Sequence, residues 1–185
     1  MARRDFPGKA LLQSILVLPM FLPPVAVGLL LLLALAPSGP LGGIFSEVLY
    51  TKAAAALAAA LISFPLMLRH CQESFVAIPK RYGDVANTLG CSSSEVFWRI
   101  ELPLAKRGIV VGTLLGFARG VSEYGATSVV AGVVPGRTET IATGLMRRLA
   151  SGDDSGALLL AVVSIVIGLL VVFFSELLLR RGKEQ

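Results

Sequence analysis

The chain has 185 residues, 55% of them apolar and 16% charged, with a formal net charge of +5. A soluble domain of this size carries more charge, and here the basic residues flank long apolar runs, so the positive balance reads as membrane topology and not as a nucleic-acid footprint. Cys71, Cys91 and the single His70 stand at no metal-ligand spacing, which leaves no metal site to expect.

The expected fold class is all-α. It is a polytopic helical membrane bundle in one domain, residues 1–185, with about four transmembrane helices and one polar insert. Arg3, Arg4 and Lys9 precede the first apolar stretch, but that stretch is long, broken by prolines and without a small-residue cleavage site, so it does not read as a signal peptide.

Leu11–Leu35 is the first apolar segment, interrupted by Pro19, Pro23 and Pro24. Proline removes a helix donor and clashes with the preceding turn, so Gly8–Leu18 reads as a shallow or kinked lead-in and Pro24–Ala36 as the deeper part. Pro37-Ser-Gly-Pro40 turns the chain, and the stretch from Gly39 to Thr51 is a short external connection. Ala53–Leu68 is the second span, alanine-rich and able to pack closely.

An insert runs from Arg69 to Arg107. It carries Arg69, Lys80, Arg81, Arg99, Lys106 and Arg107, against Lys52 alone in the preceding connection, an asymmetry that places it in the cytosol with reduced cysteines. Tyr82, Val85, Ala86 and Leu89 share one face of a short helix. Gly90 is placed to end that helix in a left-handed cap. Ser92 with Glu95 has the spacing of a capping box for a second helix, through Ser94, Val96, Phe97 and Ile100, that stops near Pro103. Pattern alone leaves two readings open: a helix pair lying on lipid, or one that docks on a cytosolic partner.

The third span is Ile109 to about Ser122, where Gly108, Gly112, Gly116 and Gly120 form a stripe on one face. Glu123–Gly156 is polar and glycine-rich, with a turn at Pro135-Gly136 and a short helical piece, Glu139–Leu149. Arg137, Arg147 and Arg148 weaken its external placement. Ala157–Leu179 is the last span, closed by Arg180, Arg181 and Lys183. Four spans put both termini in the cytosol.

Asp84-x-Ala86-x-x-x-Gly90, followed after nine residues by Ile100-x-Leu102-Pro103, resembles the cytoplasmic signature loop of ABC importer permeases. That loop begins Glu-Ala-Ala in the family; Asp84 stands here for the Glu and Val85 for the first Ala. Phe6-Pro-Gly-Lys-Ala-Leu-Leu, Leu22-Pro-Pro-Val-Ala-Val-Gly28, Ser63-Phe-Pro-Leu-Met67, Gly116-Phe-Ala-Arg119, Glu123-Tyr-Gly-Ala-Thr127 and Val134-Pro-Gly-Arg-Thr138 resemble, in that order, the molybdate branch of the sulfate/molybdate permeases. The likeness runs from about Phe6 to Arg181. It implies a multi-pass permease of the cell inner membrane, working by alternating access as a homodimer. The implied partners are a cytoplasmic ABC ATPase, which carries ATP and Mg, and a periplasmic or extracellular molybdate-binding protein. It makes residues 80–103 the coupling loop, with Asp84, Ala86, Leu89, Gly90, Ser94, Glu95, Leu102 and Pro103 as coupling residues. Ala86 and Leu89 would fill the ATPase cleft while Asp84 or Glu95 pairs with cations at its rim. The family usually has one more helix before the Phe6 stretch, so the expectation is a late start site, a fragment or a naturally shortened form, with one side of the bundle unpacked unless a partner supplies the helix.

Arg119 and Glu123 sit four apart at the end of the glycine-striped span. Charges at membrane depth are costly and mark functional candidates, so Arg119, Ser122, Glu123 and Thr127 are the anion-path candidates. The alternative is a plain i,i+4 ion pair fixing the helix end, with ordinary helix-end hydroxyls beside it. The chain has no catalytic constellation and no phosphate-binding loop, so it binds no cofactor of its own and is not itself the ATPase. Tungstate in place of molybdate, a sulfate or thiosulfate permease, and a non-transporting membrane scaffold remain the other readings.

Overall fold

The structure is a computed structural model that describes residues 6–180; the flanking basic residues Arg3, Arg4, Arg181 and Lys183 lie outside that range. Ten α-helices, short 3₁₀ turns and one π segment make up its regular structure, with no strand among the described residues. They are α1 (Lys9–Val17), α2 (Pro24–Leu35), α3 (Gly42–Phe45), α4 (Lys52–Val76), α5 (Arg81–Thr88), α6 (Ser93–Val96), α7 (Leu102–Val121), α8 (Gly125–Val130), α9 (Ile141–Ala150) and α10 (Asp154–Arg180).

Two helices, α4 and α10, are long and apolar enough to cross a bilayer. The pair formed by α1, with its 3₁₀ extension to Met20, and α2 qualifies only as one broken span, bent by 110°. Pro19, Pro23 and Pro24 sit at that bend, where their missing donors and fixed φ favour the break. By length and composition the described residues therefore hold two or three spans, where about four were expected for the chain. The exception is α7: its 20 residues include Lys106, Arg107 and Arg119, which lower its apolarity. It is nevertheless central, packed along α4 and α10. Of α10's most apolar stretch 11% is buried, against 28% for α4, so α10 is the peripheral helix and turns most of its apolar surface outward.

The glycine stripe of α7 faces α4. A Cβ on Gly112 would lie 2.8 Å from His70 Cβ, and one on Gly116 would lie 3.2 Å from Met67 Cβ. One on Gly108 would collide with the Ser74 hydroxyl, whereas on Gly120 the nearest atom, Ser63 Oγ, is 3.5 Å away. The partner positions 74, 70, 67 and 63 step backward along α4, as an antiparallel pair requires, and the seam is tighter toward the insert. Inserting a methylene into such a contact costs about 1–3 kcal/mol.

A second close approach joins α2 to α8. A Cβ on Gly28 would stand 2.7 Å from Ala126 Cα, and one on Gly125 would stand 2.9 Å from Pro24 Cβ. Val27, Ala58, Ile62 and Ala126 make the core there, and Ala54, Ala55, Val130 and Ala131 continue it toward the start of α4. Two stretches 100 residues apart in the chain, Leu22–Gly28 and Glu123–Thr127, are thus packed on each other.

Two boundaries differ from expectation. The second span does not end at Leu68: α4 continues to Val76, so Arg69, His70 and Cys71 belong to it and the insert starts after it. The second insert helix does not stop at Pro103. Helical structure is unbroken from Ser93 to Val121, because Phe97–Glu101 is a π segment and Pro103 sits in the first turn of α7. The Leu102 N–H reaches back five residues to the Phe97 carbonyl. The widened turn accommodates a residue that would otherwise clash with the preceding turn.

Candidate coupling and anion-path sites

The insert is built from local signals. Gly90 has φ 88°, its N–H donates to the Asn87 carbonyl at 3.0 Å, and the Cys91 N–H donates to the Ala86 carbonyl at 3.0 Å. Those two bonds form a Schellman motif that closes α5. Ser92 then opens α6 with a complete capping box: Glu95 N–H donates to Ser92 Oγ at 3.3 Å, and Ser92 N–H donates to Glu95 Oε2 at 2.9 Å. The backbone and hydroxyl of Ser92, then the Arg99 guanidinium 3.9 Å away, hold the Glu95 carboxyl below the usual glutamate range.

The face presented by α5 differs from the one expected. Ala86 is only 5% exposed, so it packs inward, while Tyr82, Val85 and Leu89 are 45%, 58% and 78% exposed. Ala86 packs within the insert, so the apolar side chains that α5 exposes are Tyr82, Val85 and Leu89. Glu95 is engaged in its box, which leaves Asp84, exposed beside Val85, as the carboxylate on the outer face. Ser94 is exposed in the first turn of α6, and Leu102 and Pro103 belong to α7 instead of the loop.

The sequence reading missed what fastens this insert. Phe75, near the end of α4, stacks on Phe97 of the π segment with centroids 5.9 Å apart, and Phe97 meets Trp98 edge-on at 5.2 Å. Such ring pairs contribute about 0.5–1.5 kcal/mol beyond their buried area. The usable signal was the continued helical character of Arg69–Val76, which carries Phe75 out to the insert.

At the other candidate site, Glu123 is 2% exposed and both carboxylate oxygens are used. Arg119 Nη1 donates to Oε2 at 2.9 Å, and the Ala126 N–H donates to Oε1 at 2.9 Å. One buried side chain thereby ties the end of α7 to the first turn of α8. Removing it would leave the buried Ala126 N–H unsatisfied, at about 1–3 kcal/mol, and release the partly exposed Arg119 guanidinium. The ion pair also neutralises much of the charge with which Arg119 would draw an anion. Arg119 does line a cavity of about 130 Å³, with Pro19, Met20, Leu22, Pro24, Ile62 and Leu66, inside the elbow of the broken α1–α2 span.

Ser122 is not aimed into that space: its hydroxyl donates to the Arg119 carbonyl at 2.9 Å. Thr127 is 1% exposed and its hydroxyl has no hydrogen-bond partner. Arg119 and Glu123 are therefore joined directly through their side chains, while the Ser122 hydroxyl is bonded to the helix backbone and the Thr127 hydroxyl joins neither of them.

The loop after α8 is organised by Thr138, whose hydroxyl accepts from the Val134 N–H at 3.1 Å. Gly136 takes φ 72° at the turn foreseen for Pro135-Gly136. Helix α9 starts at Ile141, two residues later than the sequence suggested, since Thr140 is its N-cap in a second capping box with Thr143.

The insert with its exposed α5 face and the buried Glu123 bridge thus stand at opposite ends of a helical bundle. Residues 1–183 match the profile of the binding-protein-dependent transport system inner membrane component family. The chain belongs to this family of ABC transporter permeases. Over 191 residues it is 39% identical to the molybdenum transport system permease protein ModB of Escherichia coli (strain K12), covering 100% of this chain and 83% of that one. It is 33% identical, with the same coverages, to the ModB of Haemophilus influenzae. A probable sulfate transport system permease protein, cysT of Chlorokybus atmophyticus, is 32% identical over 94% of this chain and 62% of its own length. As a member of this family the protein is a membrane transport permease. Its exposed α5 face and its buried Glu123 bridge lie toward opposite ends of α4 and α7.

Proposed function

We propose that the chain is the membrane subunit of an importer for molybdate, or for tungstate of the same shape and charge. The observation that carries this reading is the exposed apolar face Tyr82, Val85 and Leu89, fixed by the Gly90 cap on a chain whose full length is similar to molybdenum permeases. Asp84 and that face seat in a cytoplasmic ABC ATPase, which holds ATP and Mg. Two copies of the permease enclose the path, and an external binding protein delivers the oxyanion. If α7 is counted as a crossing beside the broken α1–α2 span, α4 and α10, four crossings put both ends of the chain on the cytoplasmic side. When the ATPases close, the pull on α5 passes through the Phe75–Phe97 stack into α4 and through the π segment into α7. Because α4 and α7 are locked by the glycine seam, they move as one body.

Apolar burial supplies most of the docking energy, at about 25 cal/mol per Å² before association costs. Sulfate is the second reading, favoured by the similarity to sulfate permeases. The test is ATP hydrolysis in proteoliposomes containing this chain and its ATPase, stimulated by binding protein loaded with either ion. Stimulation by molybdate-loaded protein alone is expected. Stimulation by sulfate-loaded protein alone would move the substrate, and stimulation by neither would remove the transport reading for this chain.

A further inference from the structure

At the end of α4 away from the insert, a second and wider cavity of about 290 Å³ is lined by Lys52, Ala55, Ala56, Ala59, Arg137, Thr138, Glu139 and Thr140. Its charges are unevenly satisfied. Glu139 Oε1 accepts from Arg147 Nε at 2.6 Å, and Arg148 pairs with Asp153 at 3.4 Å. Among the described residues Lys52 and Arg137 have no carboxylate partner, so the groove carries two uncompensated cations beside a neutralised glutamate.

Three further features suit a small anion. Lys52 is the first residue of the 25-residue α4, so the positive end of that helix lies at the groove. The Thr51 hydroxyl caps Ala54, which leaves earlier N–H groups of the helix to other acceptors. The floor is alanine, which leaves room for an ion but offers no grip to a large apolar side chain. The Thr138 and Thr140 hydroxyls are already committed, to the Val134 and Gly132 backbone and to the α9 capping box. The two cations would therefore do the holding.

We propose that this groove is a low-affinity receiving site for a tetrahedral oxyanion dianion, contacted by Lys52 and Arg137. The assignment to transport rests on the importer reading above: the ion pauses here between the binding protein and the path through the bundle. Such a site suits transit, since two surface cations without a closed cage hold a dianion weakly and release it readily.

The test is equilibrium dialysis of the detergent-solubilised permease–ATPase complex, without binding protein, against radiolabelled sulfate and against molybdate. Saturable binding in the millimolar range is expected. It should weaken about tenfold in Lys52→Gln or Arg137→Gln, vanish in the double variant, and persist in the charge-keeping Lys52→Arg with Arg137→Lys. Unchanged binding in the double variant, or no saturable binding to the wild-type complex, overturns the proposal. So does a double variant that binds the ions normally but loses affinity for unloaded binding protein, which would make the groove a protein-docking contact. Transport measured in parallel separates the two readings. Wild-type transport with no groove binding defeats the receiving site alone, and absence of transport of either ion by the wild-type complex defeats the importer reading.

Discussion

Glycine serves opposite purposes in the two halves of this molecule. In the α4–α7 seam Gly112 has an unstrained helical backbone and no room: a Cβ there would meet His70 Cβ at 2.8 Å. In the insert Gly90 has open space around it, with nothing within 4 Å of a built Cβ, but a φ of 88°. One position is glycine because of its neighbour, the other because of its own dihedral. The seam is consequently sensitive to volume and the insert to backbone conformation, so the same substitution should fail differently in each.

The largest effect is expected in the seam. Gly112→Leu should cost about 3 kcal/mol or more, since neither helix can move without opening the contacts at Gly108 and Gly116. Thermal unfolding of the detergent-solubilised protein would show it as a large drop in Tm, and an unchanged Tm would mean that the seam is not closed. Next comes the bridge at the far end. Glu123→Ala should destabilise by about 2–3 kcal/mol, while Glu123→Gln, which keeps an acceptor for the Ala126 N–H, should lose about half of that. Equal losses in the two variants would show that the charge of Glu123, and not its bond to α8, holds the junction.

In the insert, Gly90→Ala should cost only about 1 kcal/mol, from the left-handed backbone. Leu89→Glu and Val85→Glu should leave Tm within about 0.5 kcal/mol of wild type, as exposed positions do. They should nevertheless reduce ATPase co-purification and transport at least tenfold. Ala86→Glu should lower both Tm and coupling, because Ala86 is buried in the insert itself. Coupling retained in Leu89→Glu and Val85→Glu would contradict the docking face. Gly90→Pro removes the N–H bonded to Asn87 and imposes a negative φ, so it should uncouple as well.

The smallest effect concerns acidity. The carboxyl of Glu95 is held below its ordinary range by Ser92 and then by Arg99. A carboxylate with a lowered folded pKa stabilises fully above its unfolded value, and that contribution disappears as pH falls through the folded value. The capping box should therefore be intact at neutral pH and lost only in acid. An NMR titration of Glu95 should give a pKa below that of a free glutamate, and Ser92→Ala should raise it. No change in that variant would show that the box does not set the acidity.

Much of the insert was legible in the chain because its signals are local. The Gly90 cap and the Ser92–Glu95 box each involve residues within a few positions, and backbone chemistry dictates them without reference to the rest of the fold. Which side of α5 faces outward was not legible. Tyr82, Val85, Ala86 and Leu89 form one apolar stripe by period, and only packing against α6 and the π segment buries Ala86 and leaves the other three exposed. The Pro103 boundary failed for a related reason: the proline rule describes α-helical hydrogen bonding, and the π segment before it changes the register.

By itself the sequence determined that the protein is helical and membrane-embedded, where its chain breaks at proline, and that one face of α7 must accept a close neighbour. These follow from composition, period and backbone chemistry, each readable within one segment. Only the tertiary structure decided that the neighbour is α4, that Leu22–Gly28 rests on Glu123–Thr127, and that Lys52 and Arg137 share a groove while Glu139 is taken by Arg147. Those pairings join segments as much as 100 residues apart, and the steric fit that selects them exists only once the helices have been brought together.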